Sequence, residues 1–296
     1  MSDQPTPRQI LEVLLPHLRV AAAYAQQIQT QIAAHPDKDY GDNFFATALT
    51  DADLSIQTFV EVALLGLFPQ IRFYGEEHEK TYNTKYFRAI DLGPDGDYLI
   101  TLDPIDGTRF YLDGHPNYQI ILGVLNADDF EAVLAINPAQ STYYYALRGA
   151  GAFKGTLLDN LDQCRPLQIA GVQNSVLLGW QMGAVAEHLR DRYRVISVRT
   201  DYDKDKPIPN VNGVLSGELT GAILSAGKFI DGAALAFIAR EVGYQVTTHD
   251  GSPLPPLQTC EKYQWPGLVI ASSKAVHQDL TAALTYLCFE PGGEER

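Results

Sequence analysis

Cysteine, basic residues and long apolar runs are what this chain of 296 residues has least of. Cys164, Cys260 and Cys288 are odd in number and share no spacing that suits a metal site or a disulfide framework. A reducing, cytoplasmic setting is therefore expected. Lys and Arg number 22 against 36 Asp and Glu, and the resulting net charge of −14 repels nucleic-acid backbones and anionic membranes alike. No uncharged stretch approaches the ~20 residues that cross a bilayer. The first apolar stretch is broken by Pro16, His17 and Arg19, so neither a membrane helix nor a signal peptide is expected. Repeats and low-complexity tracts are absent as well.

What is present is a chain able to build a large core. The apolar fraction is 46%, and the length exceeds the ~150 residues of a typical domain, so one large domain or two closely packed ones are expected, the halves being 1–165 and 166–296. Ile10, Leu14, Leu18, Ala21, Ala25, Ile28 and Ile32 step by three and four, which predicts a first helix opened by Thr6-Pro7. A second, over 53–68, buries Ile56, Phe59, Ala63 and Leu67. Strands are predicted at 71–74, 98–102, 118–125, 132–136, 142–147 and 167–170, and the turns at 126–129 and 137–138 are tight enough to make antiparallel hairpins. Strands and helices then alternate through 176–180, 184–192, 195–198, 215–226, 233–243, 245–248, 268–271 and 273–287. Between two of the strands, 77–96 is polar and aperiodic, a lid or a surface insertion. Its Lys80, Lys85 and Arg88 read as solvated charge within reach of an anion. Tyr143-Tyr144-Tyr145 reads as strand packing, and His78, His115 and His249 lack zinc-like spacing.

The chemistry is concentrated in Asp103-Pro104-Ile105-Asp106-Gly107-Thr108, at the end of the apolar run 98–102. Asp-Pro and Asp-Gly are ordinary turn punctuation, and on turns carboxylates are usually just solvated. Here, though, Pro104 cannot continue a central ladder, so the chain turns, Asp103 and Asp106 converge, and the Ile105 carbonyl is freed. Gly107 and Thr108 then offer backbone N–H groups to an anion. Gly75-Glu76-Glu77 ends the run 71–74 in the same way, which suggests one shared acidic site. Asp231 precedes a helical run and can serve as its N-cap, and Asp53 opens the second helix, where acids are common for dipole reasons. Arg109 follows Thr108 and either meets a phosphate or pairs with Asp113.

Taken together these segments resemble the inositol monophosphatase superfamily of magnesium-dependent, lithium-sensitive phosphatases. Thr50-x-x-Asp53, Gly75-Glu76-Glu77, the hexapeptide, Gly149-Ala150-Gly151-Ala152-Phe153 and Ile230-Asp231 stand in the family's order and spacing. The resemblance implies an α+β fold, the layered α-β-α-β-α sandwich also seen in fructose-1,6-bisphosphatase-like proteins. It implies two or three Mg²⁺ ions, for which hard oxygen donors are suited. Glu76, Asp103 and the Ile105 carbonyl would hold one; Asp103, Asp106 and Asp231 would hold another. Most ligands thus lie in 1–165, while 166–296 supplies Asp231 and substrate contacts. Asp53, Glu76 and Thr108 take the catalytic roles, with Thr108 and Asp53 orienting the attacking water and no covalent phosphoenzyme. The substrate phosphate would meet Asp106, Gly107, Thr108, Arg109 and the amides of Ala233 and Ala234.

By the same resemblance the protein is a phosphomonoesterase for a small phosphorylated polyol or sugar, in a possible homodimer. A 3′(2′),5′-bisphosphate nucleotidase and a fructose or sedoheptulose bisphosphatase are alternatives. A metal- or phosphate-binding regulatory homologue would keep the carboxylates and lose water activation, and a metal-free glycosidase would leave Gly107-Thr108 unexplained. Two departures bear on substrate: Ile230 stands where the family has tryptophan, and Ile223-Leu224-Ser225 lacks the acid that grips sugar hydroxyls in inositol-hydrolysing members.

Overall fold

Helix α1 (Pro7–Ile28) starts where local chemistry dictates, with Thr6 as N-cap: its hydroxyl accepts the Gln9 N–H while its own N–H is taken by the Gln9 side chain at 2.8 Å. The computed structural model describes residues 4–32, 48–77, 92–93 and 97–286. Lys80, Lys85, Arg88 and Cys288 lie outside the described residues. Helix α2 (Asp51–Leu67) begins two residues earlier than periodicity places it, because Thr50 is the cap and Asp53 the third helical residue of a second capping box. Its Ala52, Ile56, Val60 and Leu64 face the core with Ile10, Leu14 and Leu18 of α1.

Strands β1 (Arg72–Gly75) and β2 (Leu99–Asp106) are parallel neighbours, and β2 runs straight into a single short helix, α3 (Thr108–Leu112). β3 (Gln119–Leu125), β4 (Phe130–Asn137), β5 (Thr142–Leu147), β6 (Gly151–Thr156) and β7 (Arg165–Pro166) follow in sequence order to complete a seven-stranded sheet, antiparallel from β2 onward. Both hairpins implied by the short turns are there. One expectation needs correcting: β2 does not stop before Pro104. Asp103 pairs with Ile121 and Asp106 with Gln119, so one extra residue bulges from β2, and the proline sits in that bulge, where no ladder N–H is required.

A second, five-stranded sheet has the order β12-β14-β10-β8-β9, built from β8 (Ser175–Leu178), β9 (Arg194–Ser197), β10 (Gly221–Leu224), β12 (Gln245–Thr247) and β14 (Leu268–Ala271). A small ribbon pairs β11 (Gly227–Lys228) with β13 (Gln264–Trp265). Here three more expectations fail. At 167–170 there is no strand; after Pro166 only the Leu167 N–H reaches β6, at 2.8 Å from Ala152 O, and the chain leaves the sheet edge. The 215–226 segment is not one element: Gly217, at φ 87°, ends a single helical turn over Gly213–Ser216, and the buried run Gly221–Leu224 becomes a central strand. At 184–192 the only regular structure is a 3₁₀ stretch, Gly183–His188.

Helices α1 and α2 cover one face of the large sheet. Helix α4 (Gly232–Glu241), buried along almost its whole length, packs against both sheets and separates them. Helix α5 (Lys274–Thr285) lies on the far face of the second sheet. The protein is therefore an α-β-α-β-α sandwich. Phe130, Phe229, Phe237 and Trp265 form an aromatic knot in the middle layer, with centroids 5.6–6.2 Å apart in the closest pairs. No described helix is long and apolar enough to cross a membrane.

Candidate active site

Because β1 and β2 are parallel, with Gly75 opposite Leu102, both chains leave the sheet on the same side. The Glu76 N–H bonds Leu102 O at 3.0 Å, which sets Glu76 beside Asp103. The bulge then turns β2: Asp103 Oδ1 accepts the Ile105 N–H at 3.0 Å, and Asp106 Oδ2 accepts from Gln119 Nε2 at 2.8 Å across the ladder. Gly107 adopts φ 86°, and a Cβ there would come within 2.9 Å of Asn117 O, so glycine is required at this turn. Thr108 Oγ1 lies 2.9 Å from Ile105 O and 3.2 Å from Asp53 Oδ1. The Ile105 carbonyl is thus not wholly free, since one lone pair faces that hydroxyl.

Asp53 is fully buried and held from behind, its Oδ2 accepting the Thr50 N–H at 2.8 Å. One oxygen from each of Asp53, Glu76 and Glu77 lies within 4.8 Å of the others. The Glu76-Glu77 turn is anchored in its turn by α2: the Glu77 N–H donates to Gln57 Oε1 at 2.8 Å, and Gln57 Nε2 donates to Glu61 Oε1 at 2.9 Å. All of these groups are buried or nearly so.

From the middle layer, half-buried Asp231 enters at the start of α4. Its side chain makes no capping bond, so the cap role expected of it is not filled, and the carboxylate is left to the cavity. Ala233 and Ala234 are also corrected: both are fully buried, neither lines the cavity, and the Ala234 N–H is spent on Asp231 O at 2.9 Å. Arg109 lines the cavity but is tied to Asp113 at 2.9 Å, and the Tyr202 hydroxyl donates to that same carboxylate.

The cavity enclosed by these elements measures about 230 Å³, several times the about 30 Å³ a water takes up in the liquid. Glu76, Asp103, Asp106 and Asp231 line it together with Gly107, Thr108, Trp180, Asn210 and Lys228. Burial, then the charges of Glu76, Asp106, Asp231 and Asp53, push the Asp103 carboxyl well above the usual range. Asp106 is pushed up by burial and by Asp231, against the Gln119 bond and the Lys228 charge, which favour ionisation. Burial raises Asp231 too, with Lys228 opposing. Such mutual repulsion among hard oxygen donors fits a divalent cation.

Several of these residues escape sequence reasoning. Glu77 belongs to the Gly-Glu-Glu signal, but the resemblance gives a role to Glu76 alone. Lys228 stands three residues before Asp231, and that proximity was the available clue. Gln119, Gln57, Trp180 and Asn210 had no local signal, since register and tertiary approach alone bring them in. His115 and His249 bond backbone carbonyls of Lys204 and Leu224 at 2.7 Å.

Raised carboxyl pKa values mean that the cation-free folded chain binds more protons than the unfolded one. The stability from these groups is complete below their ordinary value of 3.8 and is lost as pH climbs through the raised values. Melting temperature in chelator should therefore fall as pH rises above the ordinary carboxyl value of 3.8, and Mg²⁺ should reverse the fall. A flat or rising trend in chelator would refute the electrostatic account. Separately, Gln57→Ala leaves the buried Glu77 N–H without its acceptor, costing about 1–3 kcal/mol. A Mg²⁺ titration of activity should show a higher half-saturating concentration, more than a lower kcat.

Comparison with known proteins agrees with this geometry. A family model described as the inositol monophosphatase family matches residues 10–287. SuhB of Neisseria meningitidis is 26% identical over 240 residues, 78% of this chain and 85% of that protein. The solved IMPase of Thermotoga maritima superposes with a TM-score of 0.71 at 18% identity, covering 94% of this chain and 98% of that one. A solved IMPase/NADP phosphatase complexed with Mg²⁺ and phosphate gives 0.67 at 19% identity, covering 93% and 94%. With the family match running through nearly the whole sequence and the sandwich shared end to end, this chain belongs to the inositol monophosphatase family and is a metal-dependent phosphatase.

Proposed function

We propose that this phosphatase is a Mg²⁺-dependent phosphomonoesterase for small phosphorylated metabolites, polyol and sugar phosphates included, with broad tolerance for the leaving group. The carrying observation is the cavity lining: its only carboxylates among the described residues are Glu76, Asp103, Asp106 and Asp231, and the wall at Leu224-Ser225-Ala226 has none. Nothing acidic there grips the hydroxyls of a polyol, and strong discrimination needs buried polar groups that the wrong ligand leaves unpaired.

In this reading Glu76, Asp103, the Ile105 carbonyl, Asp106 and Asp231 hold two or three cations, most of them on the 1–165 half, with Glu77 added by the geometry. When bound, the cations supply Lewis acidity and offset the phosphate charge. The chain's own groups do the rest. The Thr108 hydroxyl commits its hydrogen inward, to Asp53 Oδ1 or to Ile105 O, so its lone pairs are left to accept from a water and aim it at phosphorus. Asp53, fixed by Thr50, keeps that hydroxyl in place. The N–H groups of Gly107 and Thr108 receive phosphate oxygens, and Lys228 adds a positive charge at the same cavity. The family resemblance further carries lithium sensitivity, cytoplasmic residence and a homodimer into this proposal, and the free thiols of Cys164 and Cys260 suit a reducing compartment.

Asp103→Asn should abolish Mg²⁺-dependent phosphate release while the fold persists, since it relieves repulsion and removes the most shared ligand; near-parental turnover at saturating Mg²⁺ would overturn the assignment. Thr108→Ala should lower kcat by roughly 10² or more with a smaller change in KM, as for a contact made in the transition state. Across a panel of small phosphomonoesters, any preference in kcat/KM for inositol 1-phosphate over other sugar or nucleotide phosphates should stay below ~100-fold. An exclusive preference for inositol phosphate would show that other residues grip its hydroxyls.

A further inference from the structure

The cavity has walls from two different sheets, and their chemistry differs. The first sheet contributes Glu76, Asp103 and Asp106 from the ends of β1 and β2. β9, β8 and β10 are mutually parallel, and the residues just past their carboxyl ends, Val198, Gly179-Trp180 and Leu224 to Ala226, form the opposite wall. Phe110 and Val211 add to it. Strand ends of this kind are where open sheets bind ligands.

Trp180 is the unusual member. The chain has only two tryptophans, and the other, Trp265, is 1% exposed in the aromatic core, as a bulky apolar ring normally is. Trp180 is only partly buried and faces the cavity, with the exposed Arg199 guanidinium over its ring at 5.9 Å. Its backbone is not loose: the Gly179 N–H bonds Ile223 O at 2.9 Å, which ties the tryptophan to the same strand that carries Leu224. An indole beside a planar guanidinium, with Val198, Val211 and Leu224 in the same lining, supplies aromatic and apolar surface and no carboxylate.

We propose that this wall is a ring subsite: the leaving groups this enzyme handles best carry a planar aromatic or heteroaromatic ring, which lies against Trp180 and Arg199 while the phosphate sits among the carboxylates. The proposal rests on the phosphatase reading above and narrows it. Ring-bearing phosphomonoesters, such as those of nucleosides or aryl-substituted alcohols, are the substrate class.

Benzyl phosphate and cyclohexylmethyl phosphate test it, because both release a primary alcohol of similar size and differ in ring planarity. With Mg²⁺, kcat/KM for the benzyl ester should be higher by about tenfold or more, the scale of one stacking contact. In Trp180→Leu the ratio should collapse toward one, and in exposed Arg199→Ala it should fall by about threefold. A second readout needs no turnover: neutral adenosine, added in chelator, should quench the parent's tryptophan emission saturably and leave that of Trp180→Leu unchanged. Residual emission from buried Trp265 reports that the variant is folded. A parental ratio near one, or a ratio untouched by both substitutions, overturns the subsite and leaves the phosphatase reading standing. If no phosphomonoester is hydrolysed, the phosphatase reading fails instead, and the adenosine titration decides the subsite alone: quenching confined to the parent supports it, and no quenching overturns it.

Discussion

Carboxylates crowded out of water repel one another, and in this protein the crowding of Asp103, Asp106, Asp231 and Glu76 is what the surrounding structure has to hold in place. No such cluster persists on flexible turns, since the chain would move to separate the charges. Each acid is accordingly fixed from behind. A β-bulge and its own Asx turn hold Asp103; a cross-strand glutamine holds Asp106; a parallel strand neighbour places Glu76. Asp53, one step removed, is locked into a capping box. The repulsion that remains is a standing affinity for cations, and the raised pKa values of the cation-free carboxyls express the same crowding.

The sandwich makes such anchoring possible because the site is built where two rigid layers meet. The first sheet delivers its acids from a strand pair whose flank is covered by α1 and α2, and the middle layer delivers Asp231 from the start of α4, a helix buried against both sheets. An aspartate at that position that does not cap its helix is informative. Its carboxylate lines the cavity and takes the neighbouring Gly232 N–H, and the usual cap bond further into the helix, worth about 1 kcal/mol, is not made. The opposite wall has no comparable charge problem to solve, and so is free to be apolar and aromatic.

The buried chain from Glu61 through Gln57 to the Glu77 amide shows how far this support extends. It links the middle of α2 to the turn that carries Glu76 and Glu77, and Gln57 packs so tightly under β1 that a Cβ on Gly75 would fall 2.4 Å from its amide. Any larger residue before the two glutamates would therefore push the Gln57 amide off its bonds to Glu61 and Glu77, apart from any role in the turn itself.

Sequence alone determined the helices with strong periodicity, the antiparallel hairpins, the acidic hexapeptide with its upstream Gly-Glu-Glu, and through their order the family and its layered fold. These signals are local: capping boxes, short turns and Asp-Pro-x-Asp-Gly depend on residues a few positions apart. The single element expected over 215–226 is split because Gly217 turns the chain and a central strand takes the apolar run that follows. Helix geometry leaves Asp231 without its cap bond and turns the Ala234 amide onto Asp231 O. Tertiary structure alone decided that Gln119 would brace Asp106, that Lys228 would act on Asp106 as well as on its sequence neighbour Asp231, and that Trp180 would line the same cavity as the acids. Those pairings join residues 13 to more than 70 positions apart, and only the register of strands and the approach of two sheets, which no local pattern encodes, could bring them together.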